Sequence, residues 1–164
     1  MALFTLVHVV ISLIGIITGL VVLGGLLSGK RLDGWTGLFL LTTIVTSVTG
    51  YGFPVDRVLP SHIVGAISLV ALAIACVARY RYRLAQGWRK TFVVTAVLSL
   101  YLNVFVLIVQ TFQKVPALRE LAPTQSEPPF AISQLIVLVM FVVLGYRAVV
   151  SFREPAAASA RQFL

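Results

Sequence analysis

From Leu3 to Leu27 the chain runs 25 residues without one charged side chain. A segment this long and apolar is the strongest constraint in the sequence. About 20 such residues in a helix cross the roughly 30 Å hydrocarbon layer of a bilayer. Lipid offers the backbone no hydrogen-bond partner, so a segment placed there closes its bonds within itself as a helix. The pattern returns along the chain, and the expected spans are Leu3–Leu27, Trp35–Phe53, Ser61–Arg79, Thr91–Phe112 and Phe130–Phe152. The expected fold class is all-α: an integral membrane helical bundle of five transmembrane helices over residues 1–152, followed by a short cytoplasmic tail, 153–164. Composition agrees, with 59% of residues hydrophobic and only 11% charged, against about 25% charged in soluble domains. The second span is the least apolar. It holds Thr42, Thr43, Thr46, Ser47 and Thr49, and Gly50, Gly52 and Pro54 close it. The apolar start reads as a retained first span rather than a signal peptide: no basic region precedes it, it exceeds the usual apolar length, and no small-x-small site follows.

Charge sets the expected orientation. The net charge is +8, which in a soluble protein would suggest nucleic acid. Here the basic residues fall in short connections between apolar runs, so no nucleic-acid partner is expected. With five spans, one face carries "SGKRLDG", "YRYRLAQGWRK" and the tail. Its basic residues are Lys30, Arg31, Arg79, Arg81, Arg83, Arg89, Lys90, Arg147, Arg153 and Arg161, against the acids Asp33 and Glu154. The other face has Arg57, Lys114 and Arg119 with Asp56, Glu120 and Glu127. Ten basic residues against three follow the positive-inside pattern and place the N-terminus outside and the C-terminus inside. Without the second span the two basic connections would fall on opposite faces, so charge supports the span that hydropathy leaves weak. Arg79, Arg81 and Arg83 are expected at anionic lipid headgroups, each worth about 1 kcal/mol, with Tyr80, Tyr82 and Trp88 as interface aromatics. The single cysteine, Cys76, excludes an intrachain disulfide.

Two features bear on packing and ligands. Gly15 and Gly19 lie four apart in the first span, a spacing that lets another helix approach closely. The partner is a neighbouring span, or a second chain in a homo- or hetero-oligomer through this face. In the fourth span, Thr91, Thr95, Ser99, Asn103, Gln110, Gln113 and Lys114 fall within an arc of roughly 140° at about 100° per residue. Polar side chains in hydrocarbon need partners, so this arc is expected to face protein or a water-filled pocket. His8, His62, Ser133, Gln134 and the loop residues Asp56, Arg57 and Glu127 are expected at the same depth. Ser61 reads as the N-cap of the third span. The expected site is an outward-facing polar pocket built from spans one, three, four and five. Its residues are His8, His62, Asn103, Gln110, Gln113, Lys114, Gln134 and Glu127. Two histidines on different helices also suit axial ligation of a metal or a b-type haem, since neutral imidazole binds such ions. The alternatives are a plain inter-helix hydrogen bond for His8 and a place in the headgroup region for His62.

The longest connection predicts a short helix at "PALRELA", opened by Pro116 and stopped by Pro123. It would act as a lid over the pocket or as a stiff turn. Pro128 or Pro129 is expected in the first turn of the last span. No HExxH, CxxC, phosphate-binding loop or GxSxG pattern occurs, and no catalytic residue is expected. The stretches "LDGWTGLFLLTTIVTSVTGYGFPVDRVLPSHIVG" and "LYLNVFVLIVQTFQKVPALRELAPTQSEPPF" resemble a family of small uncharacterised bacterial membrane proteins. The resemblance implies a bacterial inner-membrane setting and carries no activity, cofactor or site residue. The function expected is non-enzymatic: binding of a small ligand, lipid or quinone headgroup, or service as an accessory subunit. Alternatives are a haem- or metal-binding redox protein using His8 and His62, and a small-solute transporter using the span-four stripe.

Overall fold

The computed structural model describes residues 2–53 and 60–153. They form helices and no strand: α1 (Ala2–Leu27), α2 (Asp33–Gly50), α3 (Pro60–Cys76), α4 (Trp88–Lys114), α5 (Pro116–Leu121) and α6 (Pro128–Ser151). A π-helical turn, Val77–Arg81, continues α3. Among the described residues, four stretches are long and apolar enough to cross a membrane: Ala2–Leu27, Ser61–Arg81, Trp88–Lys114 and Pro128–Ser151. The protein is thus an all-helical, multi-pass membrane protein. α2 is not among the four, because its hydroxyl side chains dilute its hydropathy. The expected roles of Asp56, Arg57, Glu154 and Arg161 lie outside the described residues, as does the tail beyond Arg153.

The long helices run up and down, so one end of the bundle gathers the basic connections. At this basic end Asp33 meets Arg79, Gly29 sits beneath Ser151, and Arg89 lies over the Phe152 ring at 5.1 Å. The opposite, distal end holds the start of α1, the end of α2, the start of α3 and the α4–α6 connection. There Tyr51 donates to the His62 carbonyl at 2.7 Å, and Phe112 meets Phe130 edge-on at 5.4 Å.

Packing is uneven along this axis. The hydrophobic core, including Val22, Leu26, Phe39, Leu72, Leu84, Phe92 and Val93, belongs to the basic half. In α1 the buried residues begin only at Gly15. Gly15 and Gly19 are both buried in that half, against the protein's own helices. A Cβ on Gly19 would stand 2.5 Å from Leu100 Cδ1 and 2.9 Å from the Phe39 ring. The small-residue face therefore serves close approach of α1 to α2 and α4, where dispersion between backbones replaces the hydrophobic effect that lipid removes.

α2 has an inverted character. Thr36, Thr42, Thr43, Thr46 and Ser47 are buried, while Leu38, Leu41 and Val48 face outward. Thr36, Thr42 and Thr49 donate to the carbonyls of Leu32, Leu38 and Val45 one turn back, at 2.7–2.8 Å. α6 is peripheral: its buried residues are Phe141 and Ala148. Ile132, Leu135, Ile136, Val139 and Val143 are exposed as a lipid-facing strip.

Three expectations are corrected here. Arg79 is not a lipid-facing residue. Its side chain is 6% exposed and ion-paired with the Asp33 carboxylate, with the rings of Tyr80 and Phe92 at 5.6 and 5.7 Å. It follows Leu72 and Ala75, both fully buried, at helical spacing, so it falls on the inner face of α3 and needs a counter-ion there. Arg81 and Arg83 are exposed. Ser61 is not an N-cap, because α3 begins at Pro60. The span-four arc is not one wall: Thr91, Thr95 and Ser99 donate to carbonyls four residues back on their own helix. The short helix expected at Pro116 forms as α5, with Pro116 in its first turn, and Pro128 opens α6.

Candidate functional site

Among the described residues the packed core stops short of the distal half, and there α1 and α4 line a cavity of about 510 Å³. Thr5, His8, Val9, Ser12, Leu13 and Ile16 of α1 form one side, and Asn103, Val106, Leu107, Gln110, Thr111 and Lys114 of α4 the other. Thr46, Gly50 and Phe53 of α2 and its following turn, with Ser61 and His62 of α3, complete it. A smaller cavity of about 140 Å³ adjoins it, sharing His8, Thr46, His62, Asn103 and Gln110 and reaching Ser47, Gly65 and Ser68. The floor is at Asn103, whose Nδ2 lies 3.5 Å from Thr43 Oγ1. One turn below, Gly19, Leu100 and Phe39 close the bundle. The cavity is therefore blind towards the basic end.

His8 is half-buried, and its Nδ1 lies 2.8 Å from Thr49 Oγ1. Thr49 spends its own proton on the Val45 carbonyl at 2.7 Å. Its oxygen therefore accepts from His8, which puts the proton on Nδ1 and leaves Nε2 as the acceptor. Phe53 packs edge-on against the imidazole at 5.1 Å and against Phe4 at 5.0 Å. His62 stacks obliquely on Tyr51, ring centres 5.3 Å apart.

Five of the residues expected in the site, His8, His62, Asn103, Gln110 and Lys114, line this one cavity. Three do not. Gln113 turns to the connecting loop and donates to Gln125 Oε1 at 3.3 Å. Gln134 lies on α6 and donates to the Phe105 carbonyl at 3.2 Å, joining α6 to α4 away from the cavity. Glu127 folds back on its own loop. It accepts from the Thr124 N–H and hydroxyl and from the Ser126 N–H. Desolvation raises that carboxyl, but these hydrogen bonds outweigh it and hold it below the ordinary carboxylate range. α2 thus takes the place in the cavity wall that was expected of the last span. It does so because its threonine face turns inward while α6 stays at the periphery.

Sequence reasoning missed Thr46. It is buried, and its Oγ1 has no hydrogen-bond partner. Its spacing from Thr42 and Thr49 was the signal, since residues three and four apart share one helix face. Among the described residues no cluster of three or more His, Cys, Asp or Glu side chains is placed to hold a metal ion. The cavity offers instead an apolar body with a few converging polar groups, the usual constitution of a small-molecule site. Comparison with known family models, with curated proteins and with solved structures finds no match to this chain.

Proposed function

We propose that this is a five-span protein of a bacterial inner membrane, N-terminus out and C-terminus in, whose outward cavity binds a small ligand, lipid or quinone headgroup without transforming it. The observation that carries the reading is the cavity between α1 and α4 in the distal half, lined by His8, Asn103, Gln110 and Lys114. The topology rests on charge. Counting α2 as a span brings Lys30, Arg31, Arg81, Arg83, Arg89 and Lys90 to one face, as the positive-inside pattern requires. At 18 residues and about 1.5 Å per residue, α2 reaches roughly 27 Å, close to the hydrocarbon thickness. The packed layer of Gly19, Leu100 and Phe39 beneath the cavity favours binding over passage of a solute.

Orientation has a direct test. In a Cys76→Ser background, Ser126→Cys is expected to react with an impermeant thiol reagent in intact cells, and Arg83→Cys only after the membrane is opened. The reverse pattern would invert the topology, and labelling of both from outside would remove the span assigned to α4.

Binding is tested on protein extracted in mild detergent. Native mass spectrometry should find a co-purifying small molecule. Gln110→Leu and Asn103→Leu, which replace cavity-facing amides by hydrocarbon, are expected to lower its occupancy about tenfold each, given the strength of hydrogen bonds in a desolvated site. Equal occupancy in wild type and both variants would sink the reading. An absorption spectrum of the same sample addresses a second reading, favoured by the His8 tautomer. A ring nitrogen held by Thr49 leaves Nε2 as a ligand atom, the arrangement in which a second partner orients a metal-binding histidine. A Soret band lost in both His8→Ala and His62→Ala would assign the cavity to haem.

A further inference from the structure

We infer that the cavity's ligand is an anionic single-chain amphiphile, its acid group at Lys114 in the mouth and a neutral oxygen of its body at Thr46. The inference rests on the binding reading above and names the ligand's chemical class.

Lys114 belongs to two spaces at once. It lines the cavity between α1 and α4, and it lines the groove beneath α5 with Pro116, Arg119, Glu120 and Pro123. No described carboxylate pairs with it. The ion pairs among the described residues both use Asp33, and Glu127 is occupied by Thr124 and Ser126. An ammonium with no counter-ion among the described residues, at the edge of hydrocarbon, attracts an anion, and carboxylate and phosphate share that chemistry. Its place at the mouth also sets the ligand's direction. Charge sinks no deeper than water and lysine reach, so only neutral groups go below.

Thr46 is the second observation. It is nine-tenths buried, lines both the large and the small cavity, and has no partner for Oγ1. Thr36, Thr42 and Thr49 on the same helix all back-bond to a carbonyl. A hydroxyl buried without a partner is costly, and a neutral oxygen on the ligand removes that cost.

Length and shape are the third. From Thr5 to Ile16 the cavity follows α1 for about 16 Å, roughly half the hydrocarbon thickness. That is the depth of one leaflet. Val9, Leu13 and Leu107 provide apolar wall, and the volume of about 510 Å³ falls within the roughly 300–1,000 Å³ of small-molecule sites. A small solute would leave the apolar length unused, whereas a lone chain entering from the distal leaflet fills it.

The test uses the full chain in nanodiscs of neutral lipid. Three probes are compared: a long-chain fatty acid, its mid-chain hydroxy derivative and the corresponding fatty alcohol. The acid is expected to bind about tenfold more tightly than the alcohol, and Lys114→Gln to erase that difference by weakening the acid. The hydroxy acid is expected to bind about fivefold more tightly than the parent acid, and Thr46→Val to erase that gain. Inorganic phosphate in excess is expected not to displace the acid. Equal binding of acid and alcohol, or a Lys114→Gln variant that keeps their ratio, overturns the anionic class. A hydroxy acid no better than its parent overturns the role of Thr46. Displacement by inorganic phosphate reassigns the site to a soluble anion. If no probe binds and Gln110→Leu behaves as wild type, the binding reading itself fails.

Discussion

Asp33→Ala is expected to destabilise the protein more than Arg79→Met, although alanine removes the exposed partner and methionine the buried one. The Arg79 side chain is 6% exposed and that of Asp33 66%. Truncating Asp33 leaves a guanidinium enclosed by Tyr80, Phe92 and the helix backbone, with one carbonyl acceptor, Asp33 O, at 3.4 Å. Breaking a fully buried pair from one side costs about 3–5 kcal/mol. Solvent at Asp33 screens part of that, so about 2 kcal/mol is expected. Arg79→Met removes the charge together with its need for a partner and keeps much of the side-chain volume, which leaves a loss of about 1 kcal/mol. The check is thermal unfolding in detergent, with the double variant closing the cycle. It should sit near Arg79→Met alone. A larger loss for Arg79→Met than for Asp33→Ala would show that the arginine contributes packing and that its charge is immaterial.

The second large effect is at Gly19. A side chain there meets Leu100 and Phe39 at 2.5 and 2.9 Å, and those residues are only 2% and 1% exposed. Neither has space to retreat into. Gly19→Val is expected to cost about 3 kcal/mol, the upper end for overpacking, because the branched side chain adds to the clash. Gly24 is the control. It lies five residues on in the same helix with nothing within 4 Å of its Cβ position. There Gly→Ala should stabilise by about 0.5–1 kcal/mol through helix propensity. Unfolding midpoints that move alike at the two positions would contradict the close approach of α1 to α2 and α4. Gly19→Val should also loosen the cavity floor, so ligand occupancy falls with stability at this site and not at Gly24.

Much of this arrangement was legible before any coordinates. Apolar runs longer than a bilayer is thick dictate helices, so the long elements and their approximate limits could be read directly. Proline chemistry marked α5 and the start of α6. The site was half legible. His8, Asn103, Gln110 and Lys114 announce themselves because an isolated polar group in hydrocarbon must face protein. Depth along the bilayer can be counted in residues, but rotation about a helix axis is set by neighbours. That is why Gln134 and Gln113 were assigned to the cavity and turn elsewhere, and why α6 was given the wall that α2 forms. Arg79 shows the opposite failure. Its spacing from Leu72 and Ala75 placed it on the buried face, but a run of arginines and tyrosines reads as a headgroup anchor when charge is counted without helical phase. Thr46 was hidden among threonines that look alike in sequence and differ only in whether the hydroxyl bonds back to the helix.

Those hydroxyls have a consequence for biogenesis. On the proposed topology, α2 must leave the translocation channel before α3 and α4 exist to shelter it. Thr36, Thr42 and Thr49 have no need to wait, since each masks its proton on a carbonyl of its own helix. The nascent segment thus carries its camouflage with it and partitions as a more oily stretch than its composition implies. Thr46 lacks that disguise, so the cost of inserting it falls on the newborn chain, well ahead of any occupant that could relieve it.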